Sequence, residues 1–187
     1  MIKRFFDICL SIILLFLLIP LFLFIYFFIL CVDNFNPIYN SRRIGKNNKI
    51  FLMPKFRSMK LNTPQKATNR LKNPNLYLTS MGKFLRKSSL DELPQLISVL
   101  KGDMSFVGPR PALFNQKTLI KLRTQKKIHY LQPGITGYAQ INGRDSISIK
   151  EKVFYDEIYL KKRNFFFDIQ ILFKTLKVIK KTSLIKH

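Results

Sequence analysis

Residues 8–32 read ICLSIILLFLLIPLFLFIYFFILCV, 25 positions without a charge, bounded by Asp7 and Asp33. A run of that length crosses a hydrocarbon core of about 30 Å with some tilt. It is too long for a cleaved signal peptide and has no Ala-x-Ala-like exit. The sequence therefore divides into a membrane segment over 1–36 and one domain over 37–187, a size that suits a single core. Cys9 and Cys31 both lie in the apolar run, and on one helix their 22-residue separation amounts to roughly 33 Å, beyond disulfide reach.

On hydropathy alone the run is an ordinary spanning anchor. Two features point elsewhere. Pro20 sits in the middle and cannot donate to the carbonyl of Phe16, which predicts a kink. Both flanks are cationic, with Lys3 and Arg4 before and Arg42 and Arg43 after. A span leaves one cationic flank outside, whereas a helix that bends at Pro20 and returns keeps both in the cytoplasm.

Beyond the run the charge is one-sided. From Asn34 to Leu90 there are 57 residues, 13 of them Lys or Arg and none Asp or Glu. The net charge of +23 and pI near 10.3 call for an anionic partner: nucleic acid, acidic lipid or phosphorylated small molecules. The membrane segment makes nucleic acid the weakest of these, and such binding would want aromatics interleaved with cations on an exposed face. His129 and His187 are isolated and no Cys/His spacing fits a metal, which disfavours zinc chemistry and a His-activated nucleophile.

The acid-free stretch ends at Ser88-Ser89-Leu90-Asp91-Glu92-Leu93-Pro94-Gln95-Leu96. Then follow Lys101-Gly102-Asp103-Met104-Ser105-Phe106-Val107-Gly108-Pro109-Arg110-Pro111 and Pro133-Gly134-Ile135-Thr136-Gly137-Tyr138-Ala139-Gln140-Ile141-Asn142-Gly143-Arg144. Ser89-x-x-Glu92 ahead of an apolar run is, on its face, a capping box, with Asp91 well placed near a helix N-terminus. That position also suits phosphate, and a carboxylate in so positive a field suits a nucleophile that receives an anionic substrate. Arg110, between two prolines, is a guanidinium aimed by a stiff turn, as bidentate recognition of a diphosphate requires.

Around these motifs the patterning predicts extended pieces over 38–59 about a turn at 45–48, then a polar surface loop over 61–78. Helices are predicted near 79–86, 91–100, 113–130 and 148–161, with a Gly-rich loop at 133–145 shaped by Gly134, Gly137 and Gly143. A last helix near 167–180 puts Ile169, Leu172, Phe173, Leu176 and Ile179 on one face and Lys174, Lys177, Lys180 and Lys181 around it. It reads either as a core helix or as an interfacial helix on anionic lipid.

Together the three blocks resemble the bacterial sugar transferases that are monotopic phosphoglycosyl transferases, in the small form with one N-terminal membrane helix. The resemblance runs from about residue 1 to 180 and is dense across 79–145. It implies a membrane-associated, helix-rich α/β fold with a small sheet, a re-entrant N-terminal helix and amphipathic interfacial helices. The family's usual break is Ser-Pro, where this chain has Ile19-Pro20. By resemblance Asp91 is the nucleophile that takes a phosphosugar from a UDP-sugar, and polyprenyl phosphate is the acceptor. Glu92 would hold or orient Mg2+, with Asp91 and, more weakly, Asp168 at the metal; the other reading of Asp168 is an N-cap. Lys55, Arg86, Arg110 and Arg144 fall to substrate phosphates or nucleotide. The implied setting is the cytoplasmic face of a bacterial inner membrane, starting a lipid-linked glycan for capsule, lipopolysaccharide, glycoprotein or exopolysaccharide, with downstream glycosyltransferases as partners. The rival reading is a non-catalytic basic membrane-surface module, against which the carboxylate pair and Arg110 argue. No residue can be assigned to choice of sugar.

Overall fold

The computed structural model describes residues 2–34, 36–64, 73–143 and 146–184, without the side chains of 74 and 179–184. The apolar run is helix α1, Ile2–Phe28, closing with a π-helical turn at Ile29–Asp33 and a left-handed Asn34. It is long and apolar enough to cross a membrane. Pro20 lies inside α1 without breaking it, because proline's fixed φ is itself helical and its cost is one missing donor. The outer surface is bare, with Phe5 71%, Phe16 72% and Phe24 58% exposed, an apolar face that the protein does not cover.

The other face of α1 packs on the domain along its length. Leu10, Leu14 and Leu15 join the main core of Met53, Val99, Met104, Val107 and Ile171. Ile25 and Ile29 are fully buried with Phe56 and Leu85 in a second cluster. Each such side chain contributes roughly 1.5–3 kcal/mol. Polar bonds hold both ends as well. Lys3 donates to Val107 O and to Asp168, and Arg4 donates to Val99 O and, at 2.7 Å, to Leu100 O. Asp7 accepts from the Phe106 amide at 3.1 Å, and Asp33 accepts from the Ser80 hydroxyl at 2.7 Å. The N-terminal cations read as a topological flank are thus engaged by protein.

Strands β1, Ile38–Ile44, and β2, Ile50–Phe56, form the expected antiparallel hairpin, with Asn47 and Asn48 supplying the positive φ its turn demands. After α2, Gly82–Ser88, a single turn Leu90–Glu92 precedes α3, Gln95–Lys101. The helix predicted from Asp91 therefore starts later. Left-handed Ser89 (φ 59°) ends α2 and makes no capping bond, which overturns the capping-box reading there. Among the described residues a capping box forms instead at Ser148–Glu151, at the start of α6, Ile149–Lys162. Gly102 (φ 90°) stops α3 as expected.

Strand β3, Ser105–Val107, leads through the Pro-Arg-Pro turn to β4, Ala112–Leu113, which adds to the free edge of β1. The segment read as a Gly-rich loop contains β5, Gly134–Thr136, parallel to β3, and α5, Tyr138–Ile141. Helix α4 is shorter than predicted, Lys117–Gln125, followed by a separate turn at Ile128–Tyr130. Helix α7, Phe165–Leu184, carries two stripes. Asp168 and Ile171 are buried, while Phe166, Phe173 and Leu176 stand exposed at 79%, 64% and 59%. The side chains of Ile179, Lys180 and Lys181, placed on this helix by the sequence reading, lie outside the described residues. The whole is helix-rich with a three-stranded sheet in order β2-β1-β4 and a separate parallel pair, as the sequence predicted in outline.

Candidate active site

A cleft of about 500 Å³ opens beside the single turn that carries Asp91 and Glu92. Nine Lys or Arg side chains line it against these two carboxylates, so its field is strongly positive. Five sequence-predicted residues meet here from four parts of the fold: Lys55 from β2, Arg86 from α2, Asp91 and Glu92 from the turn, and Arg110 from the β3–β4 connection. Arg144 lies outside the described residues.

The two carboxylates have different surroundings. Glu92 is gripped, with Lys55 Nζ at 2.7 Å and Arg110 Nη2 at 2.6 Å from Oε1, and Arg110 Nη1 at 3.5 Å from Oε2. Burial alone would raise its pKa, but Arg110 and Lys55 outweigh that and hold the carboxyl well below the usual carboxylate range. Asp91 has a looser hold, with Lys55 Nζ at 3.7 Å from Oδ2. Burial pushes its pKa above the ordinary value; Lys55, Arg86 and Arg110 pull it back and Glu92 adds to the rise. One acid is fixed as an anion, and its neighbour is a more basic, poorly solvated carboxylate.

The Pro109-Arg110-Pro111 turn is held by backbone contact. A Cβ on Gly134 would lie 2.1 Å from Gly108 N, and one on Gly137 would lie 2.1 Å from Gly108 O. These glycines let the third motif block press directly against the second, which confirms their role in shaping the loop and explains why the blocks occur together. Sequence reasoning missed a further layer. Arg123 Nη1 donates to Arg110 O at 2.8 Å, and Arg43 Nη1 donates to Pro111 O at 3.2 Å. Arg123 is anchored by buried Asp156, whose Oδ2 accepts from Nε at 2.9 Å and Nη2 at 2.7 Å. Burial pushes Asp156 up, with Arg123 and Lys152 opposing. The available signal was scarcity: in a chain with 10 acids against 33 Lys and Arg, a helix that carries three of them, Glu151, Asp156 and Glu157, is worth locating.

Asp168 does not join the pair. Its carboxylate takes Lys3 on one oxygen and the Tyr159 hydroxyl at 2.7 Å on the other, away from the cleft. It does not cap α7 either, since Asn164 Oδ1 accepts from the Phe167 amide at 2.8 Å. Among the described residues no group of three or more His, Cys, Asp or Glu side chains converges as a metal cage.

The undecaprenyl-phosphate galactose phosphotransferase of Salmonella typhimurium is 37% identical over 95% of this chain, which matches 40% of that protein's length. An exopolysaccharide production protein of Rhizobium meliloti is 36% identical over 96% of this chain and 85% of its own length. A UDP-N-acetylgalactosamine-undecaprenyl-phosphate N-acetylgalactosaminephosphotransferase of Aeromonas hydrophila is 36% identical over 76% of this chain and 35% of its own. The chain thus spans less than half the length of several curated relatives that it matches. A family model described as bacterial sugar transferase matches residues 1–182, and this chain belongs to that family.

Proposed function

We propose that this chain transfers a phosphosugar from a UDP-sugar to polyprenyl (undecaprenyl) phosphate, releasing UMP and leaving a polyprenyl-diphosphate-sugar. The observation that carries this reading is the contrast within the carboxylate pair. Glu92 is tied to Lys55 and Arg110, while Asp91 is buried, only loosely paired, and faces a cationic cleft. A carboxylate pushed up by burial is a better nucleophile than a solvated one, and the cations around it favour its ionised form against that push. Asp91 would attack the sugar-proximal phosphorus. The new O–P bond replaces the bridging P–O bond, and UMP leaves with that electron pair. A polyprenyl phosphate oxygen then attacks the same phosphorus and the Asp91 carboxylate departs. Two half-reactions let a soluble donor and a lipid acceptor use one cleft in turn.

Arg86, Lys55 and Arg110, all lining the cleft, would bind the diphosphate and bear the charge that builds on it. Mg2+ fits the donor chemistry: two adjacent hard-oxygen groups in a cleft lined by neither His nor Cys, with substrate phosphates to complete the shell. Asp91 and Glu92 would hold it, and when bound it would neutralise phosphate charge.

Helices α1 and α7 support the proposed setting. Residues 1–36 would serve as the membrane segment and 37–187 as the catalytic domain, on the cytoplasmic side of the bacterial inner membrane. Both ends of α1 bond to this domain, through Lys3, Arg4 and Asp7 at one end and Asp33 at the other, which supports both ends lying on one side of the membrane. A re-entrant path requires in addition a bend at Pro20, through which α1 here runs unbroken. The exposed Phe166–Phe173–Leu176 stripe of α7 supports an interfacial contact with anionic lipid. The product would enter capsule, lipopolysaccharide or exopolysaccharide assembly. Purified protein with magnesium, undecaprenyl phosphate and a panel of UDP-sugars should release UMP with at least one donor. Silence across the panel, with vesicle binding intact, would favour a basic membrane-surface module instead.

A further inference from the structure

We infer that Asp156, acting through Arg123, positions Arg110 for the reaction, and that Arg43 is a second hold on the same turn. The inference rests on the role proposed above for Arg110. A guanidinium offers donors in a fixed fork. Asp156 takes Nε and Nη2 of Arg123, which leaves Nη1 aimed at the Arg110 carbonyl, 2.8 Å away. Arg43, from β1, reaches the next carbonyl, Pro111 O, at 3.2 Å. Consecutive carbonyls of the turn are therefore pulled from two directions, by α4 and by the sheet. On the far side of the same residue, the Arg110 side chain holds both oxygens of Glu92. A shift of the turn is a shift of that fork.

Bare stability is a poor account of this arrangement. The side chain of Asp156 is 1% exposed and that of Arg123 11%, and a buried ion pair of this kind is often no more stable than apolar residues of the same volume. What apolar residues cannot supply is a donor directed at a carbonyl beside the reacting groups. The prolines fix φ at 109 and 111, and the β5 backbone holds the start of the turn, Gly134 N donating to Pro109 O at 3.0 Å. Arg123 and Arg43 hold the next two carbonyls, those of Arg110 and Pro111.

The test is a double-mutant cycle on the full chain in detergent or nanodiscs, using magnesium-UDP binding by calorimetry and UMP release with whichever UDP-sugar is turned over. Asp156→Asn and Arg123→Gln should each lower kcat/KM on the order of 10²-fold, the cost of misplacing a binding group by about 1 Å. Combined with Arg110→Ala, neither should lower it further by more than a factor of about two. Losses that multiply in the double variants would overturn the inference, since Asp156 would then act independently of Arg110. Full activity in Arg110→Ala would overturn it together with the proposed role of that residue, an outcome distinct from multiplying losses. Arg43→Gln, in a half-buried side chain, gives the same readout if the Asp156 and Arg123 variants do not fold, and additivity there would be equally fatal.

Discussion

Replacing Asp91 with Asn separates chemistry from folding, because the structure predicts opposite effects on the two. Asn keeps the volume of a side chain that is 8% exposed as a residue, so packing around the turn survives. Lys55 at 3.7 Å attracts the native carboxylate by roughly 4 kcal/mol at an effective dielectric of about 20. Yet the carboxyl's pKa is raised above its ordinary 3.8, so burial and the repulsion of Glu92 together exceed that attraction and the pull of Arg86 and Arg110. A group with a raised folded pKa binds more protons folded than unfolded. Its ionisation therefore lowers stability as pH climbs from the unfolded value through the folded one, with the deficit complete above both. At pH 7, without metal, Asp91→Asn should melt at the same temperature as wild type or higher. Catalysis should move the other way. Without a nucleophile the first half-reaction has no path, and the loss should be on the order of 10⁴ or more, about 5.5 kcal/mol of barrier.

The assays are UMP release, thermal unfolding in EDTA, and intact mass after incubation with donor alone. Wild type should gain one phosphosugar and the variant none. Turnover near wild type by Asp91→Asn would refute the nucleophile assignment. A variant that melts far below wild type would show that the carboxylate is structural, and that burial had been wrongly weighed against Lys55.

The other expectations address the metal, the anchor and the turn. EDTA should abolish UMP release, magnesium should restore it and zinc should not; full activity in EDTA would remove the metal role from Asp91 and Glu92. Asp7→Ala leaves the buried Phe106 amide without its acceptor and should cost about 1–3 kcal/mol in thermal or denaturant unfolding, so an unchanged transition would mean that α1 is not docked there. Gly134→Ala forces a Cβ to within 2.1 Å of Gly108 N and should abolish activity by displacing Arg110, whereas normal kinetics would rule out the tight contact. Single Cys probes at positions 2 and 47, in a background lacking Cys9 and Cys31, should both resist an impermeant maleimide from outside the cell. Labelling at position 2 alone would establish a crossing helix and leave the chemistry untouched.

Much of the fold was legible because its signals are local. Twenty-five uncharged residues, an Asn-Asn turn between extended pieces, and a glycine after Leu100 and Lys101 each act through their immediate neighbours. The failures occurred where a distant group outcompeted a local one. Ser89-x-x-Glu92 has the spacing of a capping box, but Lys55 and Arg110 offer Glu92 two charged donors where the box offers one neutral amide. Asp168 was drawn toward a metal by resemblance, while the actual partner, Lys3, lies 165 positions away. The parallel pairing of β5 with β3 was hidden because glycine-rich sequence reads as loop until another backbone is brought against it.

In a chain so rich in cations, a carboxylate has no shortage of partners, so what distinguishes each acid is the partner it selects. Asp7 and Asp33 take backbone or hydroxyl donors and fasten α1; Glu151 caps a helix; Asp156 and Asp168 each take one specific cation. Glu92 takes two cations, and among the described residues only Asp91 is an acid buried among several cations without a close bond to any of them. Leaving Asp91 at 3.7 Å from Lys55 costs stability, a cost that the nucleophile role proposed for it would explain. The same logic separates the site from its supports. Asp156 takes two donors of Arg123 on one oxygen and Arg123 reaches the Arg110 carbonyl, whereas Asp91, the more loosely held acid in the cleft, suits the nucleophile role proposed for it.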